Sequence, residues 1–374
     1  MITKLLIPIL LLALAHPHVA AQQVSVQELE QRLTHASPDK RAAQQLSELQ
    51  LTERLSTERL RLLTERLPGD QSKLAMLSIA DASAFLDLPA SDLGQAAAPD
   101  AAAQQALLAK AADYLRKTMP SLPDFFATQK TLEFADGPLK ASKAGKPWET
   151  RLHLAADSSA TVRFLAGKEE VESVGADSKT AVAKGKQLEV IGIFGPILTV
   201  ALDDVLASKP IWSHWEKGSG GSIAVFRYNV SARESHFSVP LSSDLDISPP
   251  LRAYRGEIGV DPGSGAILRL TLRAITEPGG PVNRADILVE YGPVAIAGQS
   301  WICPLRSVAL ASVRNLDLML DLYKFSQTSS PQFQVKINDV SYAQYHLFRT
   351  RMRLVPSDSP GSGAEPPPQP QPKP

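Results

Sequence analysis

Histidines are the side chains best suited to moving protons or holding metals near neutral pH. Downstream of residue 21 they are His35, His153, His214, His236 and His346. None is paired at helical i,i+4 spacing or as His-x-His, so a metal would need three distant segments to converge, and no metal ligand is assigned. Ser213-His214 and Ser235-His236 set a hydroxyl beside an imidazole. Adjacent residues of a strand point to opposite faces, however, so neither dipeptide is expected to work as nucleophile and base. The single cysteine, Cys303, sits in the apolar run Ser300-Trp301-Ile302-Cys303-Pro304 and reads as a core thiol. One cysteine also excludes disulfide frameworks, cysteine-based zinc sites and iron–sulfur clusters. Asp203-Asp204 and Glu169-Glu170 are adjacent rather than convergent and read as solvated. No nucleophile elbow, phosphate loop or dinucleotide fingerprint is present, and Gly218–Ser222 reads as a hairpin loop. No catalytic residue and no cofactor are therefore expected. The remaining cluster is aromatic: Trp212, Trp215 and Phe226, with Phe194, Leu198 and Leu202 nearby. These six either complete a packed core or line an apolar cavity under a helical lid.

The elements that must position these residues fall into two halves. From Val24 to Met119 the chain is rich in Leu, Ala, Gln, Glu and Arg and poor in Gly, which is helical composition. Ser25 with Glu28 forms a possible capping box, and Ser37 before Pro38 is a candidate start for a helix running to Leu67, where Pro68-Gly69-Asp70 breaks it. Further helices are expected over 71–86 and, capped by Asp100, through Lys117. Thr-Glu-Arg-Leu recurs at 52–55, 57–60 and 64–67 without a regular period. Its Glu and Arg read as the solvated side of an amphipathic helix, with Leu51, Leu55, Leu62 and Leu63 facing inward. The organisation predicted is a signal segment 1–21, a helical region 22–120, a connector 121–147, an antiparallel sheet domain 148–355, and a Pro-rich tail 356–374 too polar to fold. The fold class is α+β, with a curved, half-barrel-like sheet interrupted by an amphipathic helix over 195–208. On that helix Leu198, Ala201, Leu202 and Val205 share a face.

Between Tyr254 and Tyr291 the pattern is explicit enough to fix register. Pairing that sums to 526 sets Glu257 against Arg269, Ile258 against Leu268 and Tyr254 against Leu272. Pairing that sums to 559 sets Arg269 against Glu290 and Arg273 against Asp286. Charges then fall on one face and aliphatics on the other, which predicts a three-stranded meander with a charged outer face.

Lys plus Arg and Asp plus Glu each number 39, so no basic excess exists for a phosphate backbone and nucleic acid is not an expected partner. Lys4, the apolar run 5–15 and the small residues before Gln22 read as a cleaved secretory signal, with no lipobox cysteine after it. The apolar run is shorter than the ~20 residues a spanning helix needs, so no transmembrane span is expected in the mature chain. The expected location is the periplasm or the medium.

The runs Gly195-Pro196-Ile197-Leu198, Trp212-Ser213-His214-Trp215-Glu216, Val225-Phe226-Arg227-Tyr228, Tyr254 to Asp261 and Gly265 to Leu270 resemble those of uncharacterised secreted proteins of acidobacterial type. Leu122 to Thr128 and the upstream Leu-Thr-Glu-Arg-Leu-Ser element are similar to the helical half of the same proteins. The strand–helix–strand plan of the second half is similar to the LolA and LppX class of lipoprotein and lipid carriers. That resemblance implies a curved sheet closing over helices and transfers no individual binding residue. Together these features imply a non-enzymatic binding protein with a lipid or apolar ligand in the concave face of the sheet. The alternatives are an envelope scaffold that binds a protein partner through its helices, and a hydrolase whose residues converge only in three dimensions.

Overall fold

The computed structural model describes residues 21–33, 37–136, 151–173, 196–237, 251–277, 280, 282–314 and 333–348, with backbone alone for residues 196–200 and 202. Residues 1–20 and 349–374, and with them nearly all of the signal and tail segments, lie outside it. Ser25 opens α1 (Val26–Arg32) through a capping box: its hydroxyl accepts from the Glu28 N–H at 3.2 Å, and Glu28 Oε2 accepts from the Ser25 N–H at 2.8 Å. Asp100 caps α5 (Ala101–Thr118), its Oδ1 accepting from the Ala103 N–H at 2.8 Å. The helix expected over 38–67 is instead α2 (Asp39–Ser47), β2 (Leu49–Leu51) and α3 (Thr57–Thr64). Pairing overrides helical propensity there, because β1 (Gln22–Val24) takes β2 as a parallel partner. Ser37 does not cap α2; Pro38 occupies the cap position and makes no side-chain bond. The carboxylate of Asp39 instead caps α4 (Asp70–Ser83) from a distance, accepting from the N–H groups of Ser72 (2.8 Å) and Gln71 (3.2 Å). Hydrogen bonding from Ser72 holds that carboxyl below its ordinary range.

The segment expected as a connector contributes a strand, β3 (Phe125–Asp136), in the interior of the sheet. It is followed by β4 (Leu152–Leu165), β5 (Lys168–Ser173), α6 (Pro196–Ala207), β6 (Ile211–Gly218) and β7 (Gly221–Val230). The rest are β8 (Tyr254–Val260), β9 (Ile267–Ala274), β10 (Val282–Ile296), β11 (Gln299–Arg314) and β12 (Phe333–Leu347). Ten of these strands form one antiparallel sheet, ordered β5-β4-β3-β12-β11-β10-β9-β8-β7-β6, which is not closed into a barrel. The fold is α+β. The step from β5 to β6 joins one edge to the other, roughly 43 Å across nine strand spacings if the sheet were flat, and α6 lies within that connection.

The β9–β10 register is the one expected, with Arg273 opposite Asp286 and Arg269 opposite Glu290. The β8–β9 register is offset by two: Ile258 pairs with Leu270 and Tyr254 with Ala274. A bulge is responsible, since Gly259 pairs with Arg269 while Val260 pairs with Ile267, leaving Leu268 unmatched. An offset of two preserves faces, so Arg269 and Leu270 still point in opposite directions. Leu270, Leu272, Val289 and Phe226 pack with Ala111 and Leu115 of α5 and with Ala201 and Val205 of α6 in the main core.

The charged face is not an outer face. Arg269 is 5% exposed and Asp286 3%, because residues 54–86 and α4 cover that side. Ala84 and Phe85 there share an apolar cluster with Phe134, Leu288, Val308 and Ile337. Burial in this layer corrects the helical repeat as well: Leu62 is exposed rather than inward, and Arg54 is buried rather than solvated. The layer is pinned by Arg306 of β11, whose guanidinium bonds Asp81 of α4 and, at 2.6 Å, Asp339 of β12, with Glu290 at 3.8 Å. Burial, and then the charge of Asp339, push the Asp81 carboxyl well above its ordinary value of 3.8.

Removing one member of such a group strands the others in low dielectric. Arg306→Ala should therefore lose about 3–5 kcal/mol in equilibrium denaturation. A carboxyl raised in the folded state keeps a proton that the unfolded chain has released above pH 3.8, so its contribution to stability falls as pH rises from there. The stability of Asp81→Asn relative to the unsubstituted chain should accordingly improve between pH 4 and pH 7. A pH-independent difference would contradict that assignment.

Candidate functional site

On the apolar face, the aromatic residues expected to cluster do so because β6 is bulged. Trp212 pairs with Phe226, His214 with Val225 and Trp215 with Ala224, so Ser213 is the extra residue. One extra residue puts Trp212 and Trp215, three apart, on the same face. The two indoles lie 4.9 Å apart edge to face, and Trp212 lies 5.4 Å from Phe226. Phe226 is fully buried, whereas both tryptophans are only partly buried. Residues 93–97 run along the outer edge of β6: the Gly94 N–H donates to the Trp215 carbonyl oxygen (2.6 Å), and Trp215 Nε1 donates to that of Ala97 (2.9 Å). A Cβ on Gly94 would sit 2.5 Å from that of Trp215, so only glycine allows this approach. Leu198 and Leu202 belong to α6, but their side chains, like all of Phe194, lie outside the described residues.

The same bulge overturns the expectation that Ser213 and His214 point apart. The Ser213 hydroxyl lies 2.9 Å from His214 Nδ1, and His214 Nε2 lies 3.9 Å from Glu216 Oε2. Burial lowers the tendency of His214 to protonate. The carboxylate that would orient its ring is already held by two guanidinium groups, described below. Ser235 and His236 do not meet; the Ser235 hydroxyl accepts from the Phe237 N–H at 3.0 Å. His236 Nδ1 lies 2.6 Å from Asp204 Oδ1, while the Tyr254 hydroxyl donates to Asp204 Oδ2 at 2.8 Å. Asp204 is thus buried, not solvated like its neighbour Asp203, and fastens α6 to β8. Cys303 is buried in the core as expected, and burial pushes its thiol up to about 12. Among the described residues no group of three or more His, Cys, Asp or Glu could hold a metal. No helix among them is long and apolar enough to cross a membrane.

The opposite face carries a feature that the sequence reading missed. A cleft of about 730 Å³ lies between residues 84–87 of the helical layer and β7, β8 and β9. Its cationic lining is Arg54, Lys209, Arg227, Arg255 and Arg273; its carboxylates are Asp87 and Glu257. Beside it Glu216, 6% exposed, accepts from Arg54 Nη2 at 2.8 Å and from Arg269 Nη1 at 2.6 Å. Burial pushes the Glu216 carboxyl up, but Arg269 and Arg54 together outweigh that and hold it below its ordinary range. Glu257 is shared by Arg227 (3.1 Å) and Arg269 (3.2 Å). Arg227 also reaches Asp87 at 3.2 Å. The β8–β9 ladder is modified at the cleft: the Glu257 N–H donates to Thr271 Oγ1 (2.8 Å) and the Tyr228 hydroxyl to the Thr271 carbonyl oxygen (2.5 Å). Gly256 makes this possible, since a Cβ there would lie 1.9 Å from that carbonyl oxygen. The alternation that placed Glu257, Arg269 and Arg273 on one face was the available signal, but it carries no trace of the layer that turns a charged face into a cleft.

No family model, curated protein or solved structure matches this chain.

Gly256→Ala forces either the backbone or Thr271 to move. We expect a loss of about 1–3 kcal/mol or more in urea denaturation. A change below about 0.5 kcal/mol, the range of ordinary surface substitutions, would show that the ladder at Thr271 is slack.

Proposed function

We propose that the protein is an exported, non-enzymatic binding protein that holds a lipid or other apolar ligand on the apolar face of its C-terminal sheet. The observation that carries this reading is the Trp212–Trp215–Phe226 cluster at the β6 edge of an unclosed sheet, beside α6. Two tryptophans continuous with the main core but only partly buried give an apolar wall that a chain-like ligand can reach from the edge. A curved antiparallel sheet closing over helices is also the general plan of the LolA and LppX class of carriers, and the apolar face of this sheet, packed on α5 and α6, is similar to it. The amino-terminal signal pattern supports export.

The scaffold reading would use a free apolar face on α1–α4. Leu29, Leu46, Leu60 and Leu63 are instead buried among themselves, which favours the binding protein. A hydrolase would recruit Ser213-His214 or the Asp204–His236 pair. In the first the ring lacks a free orienting carboxylate, and in the second the adjacent serine is turned into the backbone.

Native mass spectrometry of mature protein purified from a bacterial periplasm, followed by organic extraction, tests the proposal. A bound apolar species should be present, and its occupancy should fall severalfold in Trp212→Ala. A clean apo mass under several purification conditions would overturn it.

A further inference from the structure

The cleft between the helical layer and β7–β9 holds more positive charge than its own carboxylates neutralise, and its residues can be accounted for one by one. Arg54 is matched by Glu216, and Arg227 by Glu257 and Asp87. Arg273 Nη1 donates to the Phe85 carbonyl oxygen at 3.3 Å, and the one carboxylate it reaches among the described residues is Asp286, at 3.6 Å, which Arg284 already holds at 2.5 Å. Arg255 and Lys209 have no carboxylate at ion-pair distance among the described residues. The strand register adds a second, independent oddity, because Arg255 and Arg273 are directly opposite on β8 and β9. Like charges facing across an antiparallel pair, with Cβ atoms about 5 Å apart, repel unless something neutralises them. Both line the cleft, as does Lys209 from the end of α6.

We infer that this cleft binds a phosphate dianion through Arg255, Arg273 and Lys209. Two unmatched positive charges balance a group carrying about −1.5 to −2 at pH 7, which a phosphate or phosphate monoester does and a carboxylate does not. Two guanidinium forks from neighbouring strands can divide the oxygens of one tetrahedral phosphate, whereas a carboxylate is satisfied by a single fork. Ala84, Phe85, Leu86, Ile211 and Ile275 supply apolar wall in the same cleft, and its volume falls in the range of small-ligand sites, roughly 300–1,000 Å³. The phosphate can therefore come from either of two sources, free phosphate or the headgroup of an apolar phosphomonoester. The cleft is on the face opposite the aromatic cluster, so this site stands independently of the apolar-ligand reading.

Isothermal titration calorimetry of the full mature chain with inorganic phosphate, a short-chain phosphatidate and octanoate tests the inference. Phosphatidate binding at least tenfold tighter than inorganic phosphate assigns the site to a lipid headgroup. Equal affinity assigns it to free phosphate, and both results support the site. Arg255→Gln should weaken the phosphate probes at least tenfold, and Arg255→Lys should restore part of that loss. Arg255 is exposed, so both variants are expected to fold, which the far-ultraviolet dichroism of each checks. Absence of heat with both phosphates, octanoate binding as tightly as phosphatidate, or an unchanged affinity in Arg255→Gln would each overturn the proposal.

Discussion

Glu216 is a buried carboxylate between two buried guanidinium groups, Arg54 from the segment after β2 and Arg269 from β9. An ion moved out of water costs several kcal/mol, and a single partner rarely offsets that cost. Two partners from different layers do so only while the layers stay together. The same logic repeats at Arg306, which draws Asp81 of α4 onto Asp339 of β12. The helical layer therefore does more than cover a sheet face with leucines. It completes charged groups that the sheet alone would leave stranded, and in doing so it forms one wall of the cationic cleft.

The two faces of the sheet thus have different physical characters. One is a continuous apolar core, in which buried side chains from eight of the ten strands, with Trp212 and Trp215 of β6 packed against them, meet α5 and α6. The other mixes an apolar patch around Phe85 and Phe134 with the guanidinium–carboxylate groups. Asp204 ties α6 to the first face through Tyr254, and residues 93–97 shield the outer edge of β6, which would otherwise offer unpaired backbone groups. The helical layer, α6 and the edge segment all bear on β6–β9, where both the aromatic cluster and the cleft lie.

Local rules made much of this legible from sequence. The capping box at Ser25, the N-cap at Asp100, the helix around Val205 and the split between charged and aliphatic faces over 254–291 all follow from residue spacing. What escaped were features in which one extra residue or a distant partner decides. The bulge at Ser213 reverses the phase of β6, bringing Ser213 to His214 and Trp212 to Trp215; the bulge at Leu268 shifts a register by two. The strand Leu49–Leu51 interrupts a helical composition only because β1 is there to pair with it. Alternation shows that Arg269 and Leu270 differ in environment, but a charged face under water and one under a helical layer have the same alternation. The cleft was invisible for that reason.

The central claim is that the helical layer and the sheet are one cooperative unit joined through Glu216 and Arg306. The most direct measurement is equilibrium urea unfolding of the full chain, followed together by dichroism at 222 nm and by tryptophan fluorescence. Three of the four tryptophans, Trp212, Trp215 and Trp301, sit in the sheet, so fluorescence is weighted toward that layer and dichroism toward the helices. The account predicts superimposable transitions with a single midpoint. Loss of helical signal at lower urea, with the fluorescence still native, would show that the sheet does not depend on its helical partner and would contradict the account.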